Sequence, residues 1–174
     1  MQNKIAFHDL LRAAVDRRGI SNGDFSKAIH VSMGQGSRYR SGKRQLDKSM
    51  PLPVTKLLRH VRLSMAAATK VYQIPTAKYD PKVRHDVYTT SNDQEREENE
   101  RKSREPLYKL AVRVPIELRT PEQQQAIDDY LQDYLEEFTA EETDWLAQAE
   151  YSGKNDEEIF QMFSNFNKRF AVRE

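Results

Sequence analysis

A helix-start signature recurs along this chain, and it constrains the fold more than any other feature. Ser21-Asn22-Gly23-Asp24 sets an N-cap hydroxyl three residues ahead of an acid, so cap oxygen and carboxylate can each satisfy a backbone N–H left over at a helix start. Ser32, Thr120-Pro121-Glu122-Gln123, Thr139 to Glu142 and Asn155-Asp156-Glu157-Glu158 open further segments in the same way. Behind most of them apolar residues fall three and four apart, the rhythm of a half-buried helix. The expected fold class is mostly α. With no cysteine in 174 residues, disulfides, thiolate zinc sites and cysteine nucleophiles are all excluded, so packing alone must hold the chain together. The length fits one or two small domains.

The first helix is expected over about Ala6 to Arg18, with Phe7, Leu10, Leu11, Ala14 and Val15 on its apolar face and Gly19 as its stop. A second, short helix carries Phe25, Ala28 and Ile29. His30-Val31-Ser32 makes a tight connection to a third, which runs to about Arg40 before Ser41-Gly42. Gly34 and Gly36 each weaken that third helix by about 1 kcal/mol relative to Ala, so tertiary contacts or a ligand must hold it. Beyond Pro51-Leu52-Pro53 the spacing predicts one helix from Val54 to Tyr72, with Lys56, Arg59, Arg62 and Lys70 on its outer face.

Residues 83–89 and 107–114 read as short strands, which allows a small β-hairpin between the helical regions. Between them, residues 91–105 contain no apolar side chain and read as a solvated linker or a charged helix extension, the natural domain boundary. The last third reads as three helices. The first carries Ile127, Tyr130, Leu131, Tyr134, Leu135 and Phe138, the second Trp145, Leu146 and Ala149, and the last Ile159, Phe160, Phe163 and Phe166. The domains expected are therefore 1–75, a connecting segment 76–106, and an acidic helical domain 107–174.

Charge divides the chain as well. Residues 1–90 carry 17 Lys/Arg against six Asp, a net +11, and residues 91–174 carry 11 Lys/Arg against 21 acids, a net −10. A basic half predicts a polyanionic partner, and an acidic half predicts a separate or solubilising role.

Three short helices with a tight turn before the third, in a basic half, form a helix-turn-helix layout. Residues 10–44, LLRAAVDRRGISNGDFSKAIHVSMGQGSRYRSGKR, resemble the Xre/Cro phage-repressor type of helix-turn-helix domain. The matching positions are Leu10, Leu11, Gly19, Ile20, Ser21, Phe25, Ile29, Val31, Ser32, Ser37, Tyr39, Gly42, Lys43 and Arg44. The sequence departs from the family pattern at His30, where a turn glycine is usual, at Gly36, where a core aliphatic is usual, at Ser26 in place of Ala, and at Arg40 in place of Glu.

The resemblance implies a recognition helix in the major groove, with Met33, Gly34, Gln35, Ser37 and Arg38 at the bases. Arg38, whose fork can pair with guanine O6 and N7, leads the set. Ser21, Asn22, Arg40, Lys43 and Arg44 would reach phosphates. The partner implied is operator DNA, double-stranded, read by a homodimer across half-sites about one helical turn apart. The aromatic residues Tyr130, Tyr134, Phe138, Trp145, Phe160, Phe163 and Phe166 form a core or the dimer or partner interface. Tyr39 reads as core and His30 as a turn residue.

Enzyme chemistry lacks its residue sets, with no histidine pair at metal-ligand spacing and no GxGxxG, Walker or GxSxG motif. Asp128, Asp129, Asp133, Glu136 and Glu137 fall on polar helix faces, as a solvated acidic surface would. No enzyme, cofactor or metal site is expected. The start MQNKIAFHDLL lacks the apolar stretch of a signal peptide, and no run of about 18 apolar residues occurs, so the expected setting is cytoplasmic with no membrane partner. The rival function is a phage or mobile-element effector, such as an anti-CRISPR protein or antirepressor. Its acidic C-terminal half would bind and inhibit another protein while the helix-turn-helix served autoregulation.

Overall fold

The computed structural model describes residues 7–47, 49–78 and 85–170. Its elements are α1 (Phe7–Arg17), α2 (Asn22–Ala28), α3 (Met33–Arg40), α4 (Pro51–Leu58), α5 (Val61–Tyr72), α6 (Val87–Ala111), a single 3-10 turn at Ile116–Leu118, α7 (Pro121–Tyr151) and α8 (Asp156–Phe170). The fold is mostly α, and no strand occurs among the described residues. The hairpin expected from 83–89 and 107–114 does not form: Val87 to Thr89 and Leu107 to Ala111 are turns of α6, and residues 83–84 lie outside the described residues.

The chain divides into two compact units, Met1–Thr76 with Ser152–Glu174, and Ala77–Tyr151. The second is inserted into the first, and the boundary expected at residues 91–105 instead lies inside α6. The C-terminal domain expected over 107–174 is therefore split, with α8 belonging to the N-terminal unit. The division keeps the charge separation: the first unit holds 18 Lys/Arg against eight acids, a net +10, and the second ten against 19, a net −9.

In the first unit Leu10, Leu11, Ala14 and Val15 of α1, Phe25 of α2, Ile29, Tyr39 of α3, Leu46, Val54 and Leu58 of α4 and Leu63 of α5 make one core. The helix expected from Val54 to Tyr72 is two. Arg59 adopts a left-handed conformation (φ 42°, ψ 54°) and His60 caps α5, its Nδ1 accepting the Leu63 N–H at 3.3 Å. A continuous helix would set Leu58 and Leu63 about 140° apart around its axis. The break lets both be fully buried in one core. Pro51 opens α4 three residues ahead of the expected start, because the N–H groups of a first turn need no intrahelical acceptor.

The acids of the first turn of α8 hold that helix in the unit. Asp156 accepts the Val61 N–H at 2.9 Å and pairs with Arg17 at 3.1 Å. Glu157 binds Arg59 at 2.6 Å and Arg18 at 3.0 Å. Hydrogen bonds from Arg59 and then Arg18 hold the Glu157 carboxyl below its usual range, and the same pairing raises the Arg59 guanidinium. Ile159 is buried behind them, and Phe160 lies under the Arg59 guanidinium, 5.3 Å from it. Asn155 and Glu158 close the expected capping box through reciprocal bonds of 3.1 and 2.9 Å.

The second unit is a hairpin of two long helices, α6 with 25 residues and α7 with 31. The start expected at Thr139 is not used, since Thr139 to Glu142 continue α7 without interruption. Residues 91–105 are helical without apolar side chains because charge replaces the apolar stripe. Glu98–Lys102, Arg96–Glu100 and Glu105–Lys109 pair four residues apart along α6. Across the hairpin Arg101 binds Glu137 and the Tyr130 hydroxyl, Arg104 binds Asp129 and Asp133, and Thr90 donates to Asp144 at 2.8 Å. Tyr108 stacks on Tyr130 with ring centroids 4.0 Å apart. Among the described residues, no helix is long and apolar enough to cross a membrane.

Candidate nucleic-acid interface

The turn between α2 and α3 is built from local bonds that the sequence foreshadows. Ser21 accepts the Asp24 N–H at 3.0 Å and donates its hydroxyl to the Asp24 carboxylate at 2.6 Å. Ser32 accepts the Gln35 N–H at 3.2 Å. His30, standing where the resembled family has glycine, takes the conformation for which glycine is suited, φ +56°.

Two further departures from the family pattern answer each other. Gly36 of α3 lies directly against Ser26 of α2: a Cβ at position 36 would sit 3.1 Å from the Ser26 Cβ and overlap its Oγ. Ser26 is buried, and its hydroxyl donates to the Asn22 carbonyl at 2.7 Å. The missing side chain at Gly36 lets the two helices meet at backbone distance, one of the tertiary contacts that the weak third helix requires. Tyr39 supplies the remaining anchor. It is 1% exposed, its hydroxyl accepting from Gln35 at 3.2 Å and donating to Asp47 at 3.3 Å. At the end of α3, Gly42 (φ +70°) satisfies the turn and a contact together, because a Cβ there would lie 2.6 Å from the His8 ring.

One side of α3 is thus committed to the core, and the other is open. Met33, Gly34, Ser37 and Arg38 are exposed together, Met33 at 65%. No residue among those described forms an ion pair with Arg38 or Lys43. Gln35 departs from its expected base-reading place, being half-buried with its amide bound to Tyr39.

The expected phosphate set also divides. Arg40 is not free: its guanidinium binds Asp16 of α1 at 2.7 Å, tying α3 to α1. Asn22 donates to the Met33 carbonyl at 3.3 Å, joining the starts of α2 and α3, and Ser21 is occupied by its cap. Lys43 and Arg44 are exposed. Arg44 lies 5.8 Å from the Tyr39 ring and 3.9 Å from Asp47, loosely held beside the end of α3.

The aromatic residues expected to form a single interface fall on two units. Tyr130 is buried inside the hairpin under Tyr108 and Arg101. Tyr134, Phe138 and Trp145 are exposed on α7, whereas Phe160, Phe163 and Phe166 belong to α8 in the other unit. The docking of Asp156 and Glu157 onto Arg17, Arg18 and Arg59 has no counterpart in the sequence reading. Its one visible trace is the acidic first turn of α8, which the helix dipole alone also favours.

Comparison of the chain with protein-family models, with curated proteins and with solved structures finds no match.

Proposed function

We propose that this protein is a sequence-specific double-stranded DNA-binding transcriptional regulator of the repressor kind, acting as a dimer on a palindromic operator. One observation carries the reading. Met33, Gly34, Ser37 and Arg38 are exposed within one 140° arc of α3, opposite the buried Gly36 and Tyr39. A helix fixed by one side and bare on the other is what a major groove accepts.

Within that arc Arg38 is the side chain equipped for bidentate guanine contact. Gly34, with open space where a Cβ would project, permits close approach of the helix to base edges. Met33 offers apolar contact to a thymine methyl. Lys43 and Arg44 follow α3 and reach phosphates, each contributing a log–log salt slope of about −0.9. Arg40 plays no part in this contact, its charge being spent on Asp16.

The test is selection of bound sequences from random duplex DNA at about 150 mM salt, with wild type and Arg38→Ala in parallel. An enriched palindrome, with loss of preference at one base pair of each half-site in Arg38→Ala worth about 1–3 kcal/mol, is the expected result. Absence of any enriched sequence refutes the reading and favours the rival, in which the acidic hairpin binds a protein target.

A further inference from the structure

We propose that α7 pairs with α7 of a second copy of this chain, in antiparallel orientation, along a seam led by Leu131, Tyr134, Phe138 and Trp145. Leu131, Phe138 and Trp145 recur at seven-residue intervals, and Ile127, Tyr134 and Glu141 recur at the intervening position. That is the register of a two-stranded coiled coil. The seam borders the edge that α7 already uses. Tyr130, Glu137 and Asp144 face α6, and the seam positions lie about 40° to 100° further around the helix, with Tyr134 stacked on Tyr130 and beside Arg101 at the border.

The hairpin taken alone is half of a helical bundle. Its α6-facing layer is rich in polar groups, with Thr90, Glu97, Glu137, Thr139, Thr143 and Asp144 all buried. Beside the buried Ile127, Tyr130 and Leu146, several large apolar side chains of α7 stay exposed. Leu131 and Tyr134 are each 53% exposed, Phe138 43% and Leu135 42%. With side chains of about 200 Å² each, this face and Trp145 hold roughly 450 Å² of accessible apolar surface per copy. Two copies bring about 900 Å², and the polar flanks raise the total to near the ~1,200 Å² at which specific interfaces begin. A reversible dimer follows, one that DNA would reinforce.

Self-complementarity selects the occupant and the direction. An antiparallel two-fold centred near Glu136 lays Phe138 on Tyr134 of the other copy and sets Leu131 beside Glu141, while Ile127, at the end of the register, is buried within its own chain. A parallel pair would instead set Glu141 against Glu141, two like charges at a seam position. The antiparallel pair also opposes the two helix dipoles. It supplies the second copy that a palindromic operator requires. Its role rests on the proposed function, but its existence is tested without DNA.

The absence of cysteine makes the test clean, since any disulfide-linked dimer reports introduced thiols alone. The full chain is examined by sedimentation equilibrium over about 1 to 100 µM. Wild type is expected to dimerise across this range, and Phe138→Glu to raise the dissociation constant roughly tenfold or more with an unchanged helical signal and, at concentrations where both are monomeric, an unchanged melting curve. Mixing Leu131→Cys with Glu141→Cys under mild oxidation is expected to give a linked heterodimer, with Leu131→Cys alone giving none. A wild type that stays monomeric, a dimer indifferent to Phe138→Glu, or Leu131→Cys linking to itself would each overturn the inference. Single half-site binding by Phe138→Glu separates this failure from that of the DNA reading, because it persists if α3 reads bases and only the pairing is lost.

Discussion

Replacing Gly36 with Ala sets two effects of known sign against each other. Helix propensity alone makes the change stabilising by about 1 kcal/mol, since Gly is the poorest ordinary residue in a helix interior. The packing of α3 on α2 opposes it, because the new methyl group would overlap Ser26 Oγ and sit 3.1 Å from Ser26 Cβ. Rotating the hydroxyl away breaks its bond to the Asn22 carbonyl and strands a buried polar group, at a cost of about 1–3 kcal/mol. Leaving it in place forces the helices apart, an overpacking cost of similar size.

The two routes leave Gly36→Ala destabilising by about 1 kcal/mol net at the middle of the range and about 2 kcal/mol at its top, a fall of roughly 5–15 °C in the melting temperature of a unit of this size. Circular dichroism melts of Gly36→Ala, Ser26→Gly and the double variant measure it. In the Ser26→Gly background the methyl group has room, so Gly36→Ala is expected to become neutral or stabilising, with a coupling of about 2 kcal/mol. A melting temperature that rises in Gly36→Ala alone would refute the close packing and leave propensity as the governing term.

The other expectations are simpler. His30→Gly relieves a left-handed side-chain-bearing residue and is expected to raise the melting temperature by a few degrees, for about 0.5–1 kcal/mol; a fall would mean that the imidazole contributes more than the strain costs. Arg40→Ala is expected to lower stability by up to about 1 kcal/mol without altering the selected DNA sequence, whereas Arg38→Ala should do the reverse, and a specificity change in Arg40→Ala would contradict the assignment to Asp16. Because the Glu157 carboxyl is held below its unfolded value, its contribution to α8 docking is present above the unfolded value and lost as pH falls through the folded one. Hydrogen exchange of α8 amides should therefore accelerate on acidification below the ordinary carboxylate range in wild type, and that pH dependence should be reduced in Glu157→Gln, where the Arg59 and Arg18 pairs no longer contribute.

Where structure follows from short-range chemistry, it was visible in the residues. The caps at Ser21, Ser32 and Asn155, the stop at Gly42 and the apolar face of α1 are all set by groups within four positions of one another, so α1 to α3 and α8 emerge close to their expected bounds. The exposed arc of α3 was legible for the same reason. For residues 91–105 the sequence leaves a solvated linker and a charged helix extension both open, because apolar content alone does not decide between them, and the structure forms the helix. Residues 91–105 carry no apolar side chain, yet their order comes from Glu97, Arg101 and Arg104, whose partners Lys78, Glu137 and Asp129 lie elsewhere in the chain.

The break at Arg59 was hidden by an apolar spacing that continues unaltered across it. Arg40 and Gln35 read as free because Asp16 and Tyr39 become their partners only after folding. The position of α8 could not be read at all, since Glu157 and Arg59 are 98 residues apart.

That separation has a consequence in time. A ribosome adding about 5–20 residues per second needs roughly 5–20 s to pass from Arg59 to Glu157. During that interval the emerging N-terminal helices display Arg17, Arg18 and Arg59 without the carboxylates that later meet them. The nascent protein is therefore more cationic there than the finished one, and chains released early keep that character. For several seconds of its synthesis, the chain exposes a basic surface that α8 later closes.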